Sequence, residues 1–242
     1  TTSVLSIADT QASAARARAA IMEVERQLGF EPLLMLQLRG QVWILGVRGD
    51  ASNDPLLIAI TRIFPDHAAE FHIGLRNPAT YLPELHRRQR GRDYDDFIGD
   101  ADPGDLRWSD LIVNLIEKNP QADICVWADE DTPLIWPEVL RAVSGHSADL
   151  ALEGQDDLLE SLMTAEGMRR MRVYMASHPP QTPVQRRRVV SAFLDKFALP
   201  EQLDISFSLP GWTAEMVAAM TAQYERDMAY IATLPGVTVL TP

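Results

Sequence analysis

Short apolar runs alternating with helical patterns predict an α/β protein: a parallel sheet flanked by helices, followed by a helical C-terminal part. Three observations carry this expectation. Residues 71–75 and 124–128 are brief, nearly continuous apolar runs, as strands buried on both faces require. Over residues 55–143 the order is helix, strand, helix, strand, helix, the logic of parallel strands joined by crossover helices. After Ser147 the pattern becomes amphipathic helices alone. The expected organisation is an α/β sheet core over 1–150 and a helical part over 151–242, packed on the same domain. A length of 242 residues suits one such domain.

The elements follow in order. Residues 9–28 predict an amphipathic helix, with Ala14, Ala17, Ile21, Val24 and Leu28 on one face and Gly29 ending it. Residues 33–38 and 42–47 predict two strands around Arg39-Gly40-Gln41, with a hairpin as one reading. A helix over 55–64 stops at Pro65. After the strand 71–75, Asn77-Pro78 makes a good helix start, because Asn caps open amides and Pro fits the first turn. That helix runs to about Arg88. Residues 93–105 predict an exposed acidic loop. A helix follows from Trp108 to about Lys118, where Asn119-Pro120 stops it. The strand 124–128 leads into Asp129-Glu130-Asp131 and a helix over about 137–143. Further on, residues 156–176 predict one Met-rich helix and 184–197 another. A last helix begins after Pro210-Gly211-Trp212-Thr213. Residues 237–240 predict an edge strand or an extended tail.

Composition narrows function by exclusion. The net charge of −12 opposes broad binding to nucleic acid or anionic membranes. It leaves room for a small basic pocket, whose charge would come from arginine, since Lys118 and Lys196 are the only lysines. No charge-free apolar run reaches the ~18 residues of a membrane helix. No signal peptide is evident, so a cytoplasmic location is expected. The single cysteine, Cys125, lies in an apolar run and reads as a buried structural thiol rather than a nucleophile. The five histidines lack the three- or four-residue pairing of a metal site. No metal site is expected, and no catalytic residue is marked.

The segment Phe64-Pro65-Asp66-His67, then Phe71-His72-Ile73-Gly74-Leu75-Arg76-Asn77-Pro78-Ala79-Thr80, resembles the 3′-phosphate region of sulfotransferases. These are relatives within the P-loop nucleotide-binding fold. In them a strand ends in Arg-Asn-Pro or Arg-Asp-Pro and a helix begins at once. Trp108-Ser109-Asp110, the strand holding Trp127, Asp129-Glu130-Asp131 and Pro210-Gly211-Trp212 are similar to later parts of bacterial members. The resemblance covers roughly residues 56–240. It implies sulfuryl transfer from adenosine 3′-phosphate 5′-phosphosulfate (PAPS) to a hydroxyl or amine. Arg76 would hold the 3′-phosphate, with Arg186, Arg187 and Arg188 assisting. Independent of family, an arginine at the carboxyl end of a parallel strand, beside a helix start, is well placed for an anion. The competing reading pairs Arg76 with an acid such as Glu130.

The chain also departs from that family. The donor's 5′-phosphosulfate needs a Gly-rich loop carrying Lys and Ser or Thr, and neither lysine follows one. Thr1-Thr2-Ser3 matches the last residues of such a loop on the reading that the start is cut away. The family's phosphate-binding serine, eight positions after the arginine, is replaced by Glu84. A carboxylate there repels a phosphate by ~1 kcal/mol in water-like surroundings. A second expectation therefore stands beside the enzyme. It is a catalytically degenerate relative that keeps the scaffold and acts through protein contacts, with the Met-rich C-terminal helices as the adaptable surface. Asp129-Glu130-Asp131 reads either as a carboxylate site at a strand end or as a solvated loop. Arg186 to Arg188 read either as phosphate ligands or as a charged outer helix face.

Overall fold

The computed structural model describes residues 70–88, 91, 93–145, 154–200 and 209–242, with the backbone of Met35–Leu38 and Gln41–Ile44. The helices expected over 9–28 and 55–64 lie outside these residues. The chain forms two compact units, residues 1–69 with 110–122 and residues 70–109 with 123–242. The expected division at 150 falls inside the second unit, for a reason visible in the sheet.

In the first unit, strands β1 (Met35–Leu38) and β2 (Gln41–Ile44) pair antiparallel, with Met35 opposite Ile44 and Leu38 opposite Gln41. This is the hairpin pairing that two apolar runs around Arg39-Gly40 allow. The same unit takes in most of helix α3 (Trp108–Lys118). Leu111, Ile112 and Leu115 are buried on one face of it, the i, i+1, i+4 spacing of an amphipathic helix. Asn119 then turns back, its Nδ2 donating to the Leu115 carbonyl at 3.0 Å.

The second unit is built on a parallel three-stranded sheet. Strands β3 (Glu70–Leu75), β4 (Asp123–Ala128) and β5 (Val237–Leu240) lie in the order β3-β4-β5. Phe71 pairs with Ile124 and Leu75 with Ala128. Ile124 pairs with Val237 and Trp127 with Leu240. The edge-strand reading of 237–240 is therefore the observed one. It also carries the chain's last residues back into the sheet, so the C-terminal part is not helical alone. Between β3 and β4 lie α1 (Pro78–Arg88), α2 (Tyr94–Ile98) and the first residues of α3. The helix α2 and a 3₁₀ turn, Pro103–Asp105, interrupt the acidic stretch expected as plain loop. Asp102 organises that turn by accepting from the Gly104 amide at 2.8 Å, a local bond of the kind short polar side chains favour.

Three clusters form the core. Trp127 of β4 packs with Ile135 and Val139 of α4 (Thr132–Ser144) and with Leu240. Ala79 and Leu82 of α1 pack with Met220 of α8 (Ala214–Ile231). Leu159, Met163, Met168, Met171 and Val190 form the third, from α5 (Asp157–Leu162), α6 (Ala165–Ser177), α7 (Pro183–Phe197) and the link between the first two. Each such fully buried side chain contributes about 1.5–3 kcal/mol of burial free energy. The methionines that the sequence offered as a contact surface thus include three that line a core.

Two helix boundaries differ from expectation. Helix α4 starts at Thr132, not near 137, because Pro133 sits in its first turn, where a missing amide costs nothing. The 156–176 stretch is two helices. Met163 between them is extended and forms an isolated bridge with Ala198. Thr164 then caps α6, accepting from the Gly167 amide at 3.1 Å. Apolar periodicity runs straight across this break and concealed it. Gly167 has its own reason: a Cβ there would lie 2.4 Å from the Phe197 Cβ. Gly167→Ala should therefore destabilise the protein by about 1–3 kcal/mol, read as a lower urea midpoint at unchanged slope.

Candidate functional site

The carboxyl ends of β3 and β4 meet α1 and α8 where parallel sheets commonly bind ligands. Asn77 organises this corner. Its Oδ1 accepts from the Ala79 amide at 3.0 Å, and its carbonyl accepts from the Thr80 and Tyr81 amides, both at 2.9 Å. This is the cap read from Asn77-Pro78. Asn77 also ties α1 to its surroundings. Its backbone amide donates to Glu130 Oε1 at 2.7 Å, and its Nδ2 donates to Thr221 Oγ1 at 3.0 Å.

Arg76 precedes it and is only about a fifth exposed. Its Nε donates to Thr80 Oγ1 at 3.1 Å. Its Nη1 forms an ion pair with Glu84, the carboxylate the sequence had set against a phosphate. The competing reading of Arg76 named Glu130 as its partner. The structure supplies Glu84 instead: Thr80 and Glu84 lie one turn apart on α1, and Arg76, just before the helix, bonds to both. The Arg76 carbonyl accepts from Trp108 Nε1 at 2.7 Å. The guanidinium and the first open amide of the junction are thus both engaged by carboxylates of the chain itself.

Tyr224 of α8 closes the corner. Its hydroxyl donates to the Leu75 carbonyl at 2.7 Å and lies 3.1 Å from Glu130 Oε2. Burial, followed by the negative charge of Glu130, pushes its ionisation well above the ordinary tyrosine range. Three residues further along α8, Asp227 is buried. It accepts from Ser109 Oγ at 2.5 Å and from the Ser109 amide at 3.1 Å, so a charge sits at the start of α3, where the helix dipole favours it. Asp129-Glu130-Asp131 is a 3₁₀ turn. Burial and then Glu130 raise the Asp131 carboxyl above its usual range. Thr132 Oγ1 donates to Asp129 Oδ1 at 3.2 Å and accepts from Trp127 Nε1 at 2.9 Å. Asp129 and Glu130 serve the sheet end as bonding partners, and Glu130 serves two elements at once.

The other arginines singled out by sequence lie on α7. Arg186 Nη2 donates to Asp156 Oδ1 at 2.6 Å, and Arg187 Nη1 to Glu138 Oε1 at 2.9 Å. Arg188 is exposed. Arg186 and Arg187 therefore tie α7 to the start of α5 and to α4. Neither shares a hydrogen-bond partner with Arg76 among the described residues. Tyr224, Thr221 and Asp227 were missed by the sequence reading. The signal was their i, i+3, i+6 spacing of polar groups along the inward face of a helix that also carries Met220 and Ile231.

Cys125 is buried in β4. Desolvation, then the nearby Glu70 charge, raises its thiol to about 11. Of the described histidines, His72 lies 3.3 Å from Glu70, His86 packs against Tyr94 and Phe97, and His178 stacks on Tyr174. Among the described residues no three His, Cys, Asp or Glu side chains converge as a metal-binding set, and no helix is long and apolar enough to cross a membrane.

The chain matches no protein-family model, no curated protein and no solved structure.

Two outcomes test this geometry. Tyr224→Phe leaves the Leu75 carbonyl without its donor and should cost about 1–3 kcal/mol in denaturant unfolding. For Cys125 the sign follows from its raised value. The folded thiol keeps its proton up to about pH 11, whereas the unfolded thiol loses it near ~8.5. The unfolded state then binds fewer protons, so stability falls as pH rises through that window, by at most ~1.4 kcal/mol per pH unit. Cys125→Ala should remove that part of the alkaline slope in unfolding curves taken from neutral to alkaline pH.

Proposed function

We propose that the chain is a catalytically degenerate, sulfotransferase-like scaffold whose anion seat is closed by its own carboxylates and which acts through protein contacts. One observation carries this reading: Arg76 is paired with Glu84 while the neighbouring Asn77 amide is taken by Glu130. An incoming 3′-phosphate would have to displace the first carboxylate and approach the second. The displaced Glu84 stays within a helical turn or two of the ligand and repels it. The Arg76 and Glu84 side chains are both about four-fifths covered, so the pair is less screened than a surface ion pair. Parallel strands and a helix start after Arg-Asn-Pro support kinship with a nucleotide-binding architecture. They are equally consistent with a junction kept for stability after the ligand was lost.

The competing reading is active PAPS binding, with Arg76 released when donor arrives. Titration calorimetry with adenosine 3′,5′-bisphosphate separates the two. The scaffold reading expects no heat of binding for the unaltered chain at millimolar ligand. It expects Glu84→Ser, which frees the guanidinium and restores a hydroxyl, to gain measurable affinity that Arg76→Ala/Glu84→Ser lacks. Micromolar binding by the unaltered chain, lost in Arg76→Ala, would establish the enzyme-like reading instead.

A further inference from the structure

Helices α6 and α7 form an antiparallel hairpin whose outer side is unlike the rest of the chain. Residues 165–197 carry seven arginines and lysines against Glu166 and Asp195, a surplus of five positive charges in a chain of net charge −12. Asp156, Glu138 and Glu160 balance Arg186, Arg187 and Arg172 from outside the hairpin, and Glu166 holds Arg169 and Arg170, so the surplus rests on the exposed Arg188 and Lys196. Among the described residues, three of the four exposed large apolar side chains also lie here: Val173 at 62%, Tyr174 at 43% and Val184 at 48% exposure.

A ladder of rings runs along the seam between the two helices. His178 stacks on Tyr174 with centroids 4.7 Å apart, Tyr174 meets Phe193 at 6.0 Å, and Phe193 stacks on Phe197 at 5.8 Å. Arg170 and Lys196 both lie over the Phe197 ring, at 5.7 and 5.5 Å. Rings held by one another lose little freedom on binding, and the cations at the rim set the sign of the partner.

The chain carries a partner of that sign. Asp93, Asp95, Asp96, Asp100, Asp102 and Asp105 are all exposed, and residues 93–105 hold no cation. We propose that the α6–α7 face docks the acidic segment 93–105 of a second copy of the chain. The docking face and the docked segment are different surfaces, so the contact is head to tail and can continue beyond two copies. Charge-led contacts between exposed side chains are weak and strongly screened, so assembly should be concentration-dependent and sensitive to salt. This goes beyond the scaffold reading and does not depend on it, since neither surface includes Arg76.

Light scattering and sedimentation velocity on the full chain provide the test, in about 0.02 M and about 0.5 M sodium chloride. Association is expected at the lower salt and loss of it at the higher. Two variants at exposed positions sharpen the result: Arg188→Glu/Lys196→Glu on the hairpin and Asp95→Lys/Asp100→Lys on the acidic segment. Each alone should remain monomeric. Mixed in equal amounts they should form dimers and nothing larger, because each keeps one intact half of the contact. A monomer at all concentrations would overturn the proposal, as would association that ignores salt, or mixed variants that fail to pair while folding normally by circular dichroism. Capture of a fluorescent oligothymidine by the unaltered chain without self-association would also overturn it, in favour of nucleic acid.

Discussion

The amide of Asn77 is the fixed point of the larger unit. It lies two residues after β3, and Glu130, just past the end of β4, accepts from it. The same asparagine caps α1 with its carbonyl oxygen and reaches Thr221 of α8 with its amide nitrogen. One residue thus joins two parallel strands and two helices. Parallel strands leave polar groups at their carboxyl ends, where the chain must turn out of the sheet. Those groups have to be satisfied when helices cover them. Glu130, Tyr224 and Trp108 perform that task here, each reaching the Leu75–Asn77 backbone from a different element.

The satisfaction of this corner decides its chemistry. An anion site at a helix start works because amides and a guanidinium stay open to a ligand. In this chain the donors closest to Arg76 already have acceptors: Thr80, Glu84 and Glu130. Low-dielectric surroundings make such a network costly to dismantle, since each freed group must find another partner. Exchange with an external phosphate is a contest between anions for one cation, and the internal carboxylate competes without losing translational freedom. The arginines of α7 follow the same rule, with Asp156 and Glu138 as their holders. A strongly acidic chain has carboxylates to spare for most of its arginines, so the sign of a residue alone does not mark a site.

How much of this was legible depends on whether a feature is local. The β3 strand, the Asn77 cap, the parallel relation of β3 to β4, the limits of α7 and the start of α8 follow from periodicity and turn residues, and all were readable. Glu84 was readable as an obstacle, because it stands eight positions after Arg76 on the helix that follows. Its direct pairing with Arg76 is the geometric completion of that reading. The break at Met163-Thr164 was not legible, because apolar residues on both sides keep one period while a tertiary bridge to Ala198 sets the kink. The return of 237–240 to the sheet was half legible: its composition suits a strand, but nothing local says that β4 is its partner. Tyr224 and Asp227 were hidden for a similar reason. A polar residue on an inward helix face has meaning only when the acceptors across from it are known, and these belong to β3 and α3, over a hundred positions away.

The two halves of the molecule's charge can be understood together. Carboxylates fill the sheet end and extend, exposed, through residues 93–105, while the α6–α7 hairpin keeps Arg188 and Lys196 exposed beside a ladder of rings. Inside the core, Met163, Met168 and Met171 bind α5, α6 and α7 to one another, so adaptability through buried sulfur is spent on folding. At the edge of that core the Phe197 ring lies under both Arg170 and Lys196. The proposed scaffold would recognise partners only with surfaces that internal pairing leaves unspent. On the hairpin the exposed Arg188 and Lys196 are such positions, and the acidic partner proposed for them follows from their sign.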